Sequence, residues 1–107
     1  MKSAIWLSYD LGVNGDYEGM YAWLDNHGAK ECNGSVAYLQ FTHDGDLPTS
    51  LKSDIESVVA LNRRSRIYVI YRKDEKMAGR YLFGHRKGAP WEGFGDKDGT
   101  EEDLGDT

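Results

Sequence analysis

Apolar and polar positions alternate from Ser3 to Asp10, with Ile5, Leu7 and Tyr9 on one side and Ala4, Trp6 and Ser8 on the other. A period of two reads as a β-strand, and bulky groups on both sides predict a central one. Leu11-Gly12-Val13-Asn14-Gly15 is a turn by composition. The period then lengthens. Tyr17, Met20, Tyr21 and Leu24 fall at i, i+3, i+4 and i+7, which predicts a helix from about Asp16 to His27 with one apolar stripe. Asn14 or Asp16 caps it, Glu18 suits its positive end, and Gly28 stops it.

Ala29 to Cys32 reads as a short strand, Asn33-Gly34 as a two-residue hairpin turn, and Ser35 to Phe41 as the returning strand. A polar loop, Thr42 to Asp46, follows. Pro48 fits the first turn of a second helix with Thr49 or Ser50 near its cap. Leu51, Ile55, Val58, Val59 and Asn62 share one side of that helix, and Asn62-Arg63-Arg64-Ser65 ends it. Arg66 to Arg72 is a fourth strand, Lys73 to Lys76 a charged turn, and Ala78 to Gly84 a fifth strand. The fifth strand can pair with the fourth or with an edge of another chain.

Strand, helix, strand, strand, helix, strand is the order βαββαβ. Two helices on one face of an antiparallel sheet, with right-handed crossovers, give an α+β domain of ferredoxin-like topology with an extra C-terminal strand. The expected domain spans 1–94, with its core at 3–72. Its last part, from Gly88 to Phe94, is rich in Gly and Pro and is expected to be pinned to the domain by Trp91 and Phe94. Residues 95–107 form an acidic tail expected to be disordered.

Composition changes this picture in two ways. The tail holds six acids and one base and therefore accounts for the whole net charge of −5. The remainder is neutral but polarised: residues 1–59 carry three bases and nine acids, residues 60–94 nine bases and three acids. A solvated surface explains such asymmetry, and so does a basic face that meets nucleic acid or an acidic partner. The tail serves solubility, or it competes electrostatically with nucleic acid for that face. No apolar run approaches the roughly 18 residues of a membrane span, so no membrane partner is expected. Ser8 and Asp10 interrupt the apolar start before it resembles a signal sequence. Cys32 is the single cysteine, which excludes an internal disulfide and fits a cytoplasmic location.

Asp10, at the end of strand one and ahead of a helix, is the acid placed for chemistry. It either ties down the turn or serves as a metal ligand, with magnesium completing its shell from water and phosphate. A two-fold axis would bring two copies together. Arg63, Arg64, Arg66, Arg80, His85, Arg86 and Lys87 are candidate nucleic-acid contacts, since guanidinium forks onto phosphate and Tyr81, Phe83 or Trp91 can stack on bases. The same charges also keep an exposed sheet edge from aggregating. His43, Asp44 and Asp46 could hold a cation weakly, while Cys32 has no neighbour that would activate it.

Ala4-Ile5-Trp6-Leu7-Ser8-Tyr9-Asp10-Leu11, a helix ending at His27-Gly28, Ser35-Val36-Ala37-Tyr38, and Ser65-Arg66-Ile67-Tyr68-Val69-Ile70 together resemble CRISPR-associated protein two and the VapD-type toxins that share its fold. The resemblance covers about residues 3–72. It implies a homodimer of ferredoxin-like subunits to which a strand after the fourth contributes. It implies either magnesium-dependent cleavage of RNA or DNA by the aspartate matching Asp10, or DNA binding without cleavage. The residues after Asp10 depart from the family, which places polar or basic groups where Leu11, Gly12, Val13 and Asn14 stand. The expected function is therefore a small dimeric nucleic-acid-binding protein, with a metal-dependent endoribonuclease as its catalytic form. The alternative is a non-catalytic module that binds or regulates a protein partner. A metabolic enzyme has the least support, because neither a phosphate loop nor a cofactor lysine is present.

Overall fold

A computed structural model describes residues 1–95. Strand β1 (Lys2–Asp10) lies between two antiparallel neighbours, β3 (Val36–Thr42) and β4 (Arg66–Lys73). Strand β2 (Lys30–Asn33) flanks β3, and β5 (Lys76–Phe83) flanks β4, so the five-stranded sheet has the order β2-β3-β1-β4-β5. The two helices, α1 (Tyr17–Asn26) and α2 (Leu47–Glu56), lie in the crossovers. Their Met20, Trp23, Leu24, Leu51 and Ile55 join one buried cluster with Ile5, Leu7 and Tyr9 of β1, Leu39 of β3 and Val69 of β4. Burying each such side chain is worth about 1.5–3 kcal/mol. A one-residue slip of β1 would expose all three of its core residues, so its register is strongly fixed.

Both helices begin on an aspartate. Asp16 Oδ1 accepts the Gly19 N–H at 2.9 Å, and its Oδ2 accepts the Ala60 N–H at 2.9 Å. One side chain thus caps α1 and ties it to the segment after α2. Asp46, rather than Thr49 or Ser50, caps α2, accepting the Thr49 N–H at 3.1 Å and the Thr49 hydroxyl at 2.6 Å; Pro48 occupies the first turn as expected.

Several features differ from the sequence reading, among them the start of β5, which lies at Lys76 rather than Ala78. Helix α2 stops at Glu56, well before Asn62, as the Ser57 hydroxyl turns back to the Asp54 carbonyl at 2.6 Å. Arg63 and Arg64 therefore lie in a loop held by Asn62, whose Oδ1 accepts the Arg64 N–H at 2.8 Å. The β2–β3 turn sits one residue late, at Gly34-Ser35, because Asn33 stays in the strand and its Oδ1 accepts the Ser35 N–H at 2.8 Å. Trp91 and Phe94 do not pin the segment after β5: they are 73% and 85% exposed. That segment instead turns on itself, with the Phe94 N–H on the Trp91 carbonyl at 3.0 Å. The acidic tail from Asp96 onward lies outside the described residues.

Candidate nucleic-acid interface

The helices cover one face of the sheet. Register places Trp6, Ser8 and Asp10 of β1 on the other face, beside Tyr38 of β3 and Arg66, Tyr68 and Ile70 of β4. Strand β5 adds Gly79 opposite Ile70 and Tyr81 opposite Tyr68. Two aromatic pairs result. Trp6 and Tyr38 have ring centroids 5.1 Å apart at 50°, and Tyr68 and Tyr81 meet edge to face at 4.8 Å. All four rings are half-buried by one another and by the sheet, with no helix of the described residues above them.

Charge gathers at one end of this face. Asp10 Oδ2 accepts from Arg66 Nη2 at 3.1 Å, while its Oδ1 accepts the Gly12 N–H at 3.2 Å. The Arg66 bond, then the Gly12 N–H, hold the Asp10 carboxyl below its ordinary range against the opposing effect of burial, with the Arg66 and Lys87 charges adding to the depression. Arg66 Nε is buried and has no acceptor among the described residues. Ser8, Asp10, Arg66, Tyr68 and Tyr81 line a small cleft of about 90 Å³. The Arg86 guanidinium lies over the Tyr81 ring, 6.0 Å from its centroid.

The candidate basic residues divide into three groups. Arg66 and Arg86 converge on the Asp10 end of the open face, and Lys87 follows Arg86 in the chain. Arg63 and Arg64 stand apart, lining a groove of about 450 Å³ with Gly12, Val13 and Asn14. Arg80 points to the helix side, opposite Val69 in register, where it lines a groove with Lys52, Ser53 and Glu56 of α2. His85 is exposed next to Arg86.

Asp10 stands with a guanidinium on one oxygen and a backbone N–H on the other, and no three His, Cys, Asp or Glu cluster among the described residues. The His43–Asp44–Asp46 grouping does not persist as a cation site. His43 is buried, its Nδ1 donates to the Gly45 carbonyl at 3.1 Å, and its Nε2 accepts from the Ser3 hydroxyl at 2.9 Å, while Asp46 is spent on its cap. Cys32 is exposed and unpaired among the described cysteines.

Sequence reading named Tyr81 and Arg66 but passed over Trp6, Tyr38 and Tyr68 as partners of this site. Their signal was the second set of alternating positions in β1, β3 and β4, which carries rings where a solvated face carries polar groups. Comparison with protein-family models, curated proteins and solved structures gives no match for the chain. No helix among the described residues is long and apolar enough to cross a membrane.

Proposed function

We propose that the chain is a small nucleic-acid-binding protein built on a ferredoxin-like core, β2-β3-β1-β4, to which β5 is added. The observation that carries this reading is the meeting of Arg66 and Arg86 with Tyr68 and Tyr81 at one end of a sheet face that no helix of the described residues covers. Guanidinium and ammonium groups neutralise phosphates, and aromatic faces beside them receive bases. The protein works as a homodimer joined along the outer edge of β5, a long strand whose second edge is unpaired in the five-strand order.

Binding without cleavage is the form the geometry favours. Both Asp10 oxygens are engaged, and a metal shared by two copies of Asp10 would first have to displace Arg66. Fluorescence anisotropy with labelled DNA and RNA across a salt series tests the reading, run with and without magnesium. Salt-sensitive binding with no product is expected; absence of binding at low salt would overturn the function. Magnesium-dependent cleavage abolished by Asp10→Ala would replace this form with a nuclease.

A protein-interaction module is the second reading, favoured by the exposure of Trp91 and Phe94 on one short turn segment. Large aromatics are the anchors of protein interfaces. A specific partner retained by the intact chain and lost on Trp91→Ala would support it.

A further inference from the structure

We infer that the open face of the sheet is a stacking platform for a single-stranded polynucleotide. The inference rests on the nucleic-acid reading above and deepens it, because basic groups alone bind duplex and single strand alike.

Three observations carry it. First, the rings come as two pairs on different strands, Trp6 with Tyr38 on β1 and β3 and Tyr68 with Tyr81 on β4 and β5. Strands lie about 4.8 Å apart, so β3 to β5 spans about 14 Å, enough for a few stacked nucleotides. Trp6 faces Ile70 while Tyr68 lies two residues earlier in β4, opposite Ser8, so the pairs follow a diagonal rather than one rung. Second, the face of Tyr81 is reachable from outside the domain, since the exposed Arg86 already lies above it. A base that displaced Arg86 from the ring would leave that guanidinium free for the adjoining phosphate. Third, cations flank the rings at both ends. Arg66 and Arg86 lie at the Asp10 end, and Arg72 lies with Lys2 and Trp6 in a groove of about 460 Å³ at the other. Acids at that second end, Asp74 and Glu75, belong to the hairpin tip.

A second copy of the chain could also seek this face, but homodimer interfaces deplete charge at their centre. Here Ser8, Gln40, Arg66 and Arg72 are interleaved with the rings. Bases in a duplex keep their faces stacked on one another and cannot reach the rings, whereas unpaired bases can.

The test uses the full chain with a short fluorescein-labelled single-stranded DNA and the same strand annealed to its complement, at one salt concentration. The single strand is expected to bind at least about tenfold tighter, and Trp6→Leu or Tyr68→Leu to weaken it by about five- to a hundredfold, the effect of losing one stacked base. Trp6→Phe and Tyr68→Phe keep a ring and should bind nearly as well as the parent. Urea midpoints of all variants separate loss of stacking from loss of folding. Equal binding of single strand and duplex, with the leucine variants unimpaired, overturns the platform and leaves the nucleic-acid function standing. Failure of both probes to bind overturns both. If the leucine variants turn a dimer into a monomer without changing affinity, the face belongs to a second copy and the inference fails.

Discussion

Asp10 Oδ2 holds Arg66 Nη2 at 3.1 Å across the β1–β4 register, fixing a guanidinium at the end of the uncovered sheet face. The pair is partly solvated, at 58% and 28% side-chain exposure, so it adds no more than about 1 kcal/mol to stability. Its consequence is placement. Asp10 orients Arg66 and offsets part of its charge, so the two substitutions should act in opposite directions. Arg66→Ala removes one phosphate contact, weakening nucleic-acid binding and reducing the salt slope by about one. Asp10→Ala removes an acid from a basic site, and affinity should hold or rise. Anisotropy titrations at several salt concentrations read both effects. A loss of binding in Asp10→Ala equal to that in Arg66→Ala would show that orientation outweighs charge.

On the covered face, the Trp23 indole N–H donates to Asp54 Oδ2 at 2.8 Å, and His27 Nε2 lies 3.3 Å from the same oxygen. The His27 ring stacks on Trp23 at 4.0 Å. This contact joins α1 to α2 from side chains rather than from the sheet. Trp23 is 1% exposed, so Trp23→Ala should cost about 3–5 kcal/mol through cavity and lost burial. Asp54→Ala leaves a buried indole donor without its acceptor and should cost about 1–3 kcal/mol. Urea denaturation followed by tryptophan fluorescence measures both. A change below a few tenths of a kcal/mol for Asp54→Ala would mean that water replaces the carboxylate fully.

The sequence made β1 legible as a central strand because both of its faces are apolar, and the structure places it between β3 and β4. It made α1 legible from Tyr17, Met20 and Leu24, yet Tyr21 is 52% exposed and Trp23 takes the core position. Helical spacing marks a stripe but does not say which flank of it meets the sheet. The end of α2 was hidden for a different reason. Val59 remains buried after the helix has stopped, so the apolar pattern continues through a turn that is no longer helical. The site was half legible. Arg66 and Asp10 are far apart in the chain, and only the antiparallel register of β1 with β4 makes them neighbours. Likewise Tyr68 and Tyr81 become a pair only once β5 is known to return along β4, with a shift between Ile67 and Tyr68.

Acid and alkali should weaken the fold through different residues. Asp10, Asp16 and Asp46 all titrate below their ordinary 3.8: Asp10 chiefly through Arg66, Asp16 through the Ala60 and then the Gly19 N–H, Asp46 through the Thr49 hydroxyl and then its N–H. With folded values depressed, the unfolded chain takes up protons first as the pH falls. The stability these groups supply is whole above 3.8 and is lost as the pH drops through their folded values. Tyr9 has the opposite sense. Burial, then the neighbouring Tyr21 and Tyr17, raise it above 10.0, so its contribution is whole below that pH and fades as the pH rises through the folded value. Urea midpoints against pH should show both limbs. Asp16→Ala should lower the midpoint at neutral pH and converge on the parent in acid, and Tyr9→Phe should flatten the alkaline limb. Parallel curves for Asp16→Ala and the parent down to pH 2 would refute the assignment.

The hairpin joining β4 to β5 is the place where the fold is most readily improved. Its two turn residues, Asp74 and Glu75, have φ of 52° and 67°, the left-handed region required at both centres of a tight primed turn. Aspartate tolerates that conformation better than glutamate does, because a short polar side chain can bond locally. Glu75 has neither that advantage nor any core contact, since it is exposed. Glycine adopts the same backbone without a Cβ clash, at the cost of more freedom in the unfolded chain. Left-handed strain of about 1–2 kcal/mol per residue exceeds the entropic penalty of about 0.5–1 kcal/mol. Glu75→Gly should therefore stabilise the protein by about 0.5–1 kcal/mol, and Asp74→Asn with Glu75→Gly by slightly more. The gain should fall mainly on the β4–β5 hairpin, and because Asp74 and Glu75 share a groove with Arg72 and Trp6, removing their charge should hold or raise nucleic-acid affinity. Urea midpoints measure the stability, and amide exchange of β5 locates it. A lowered midpoint for Glu75→Gly would show that the glutamate relieves its own strain through a contact formed at the tip.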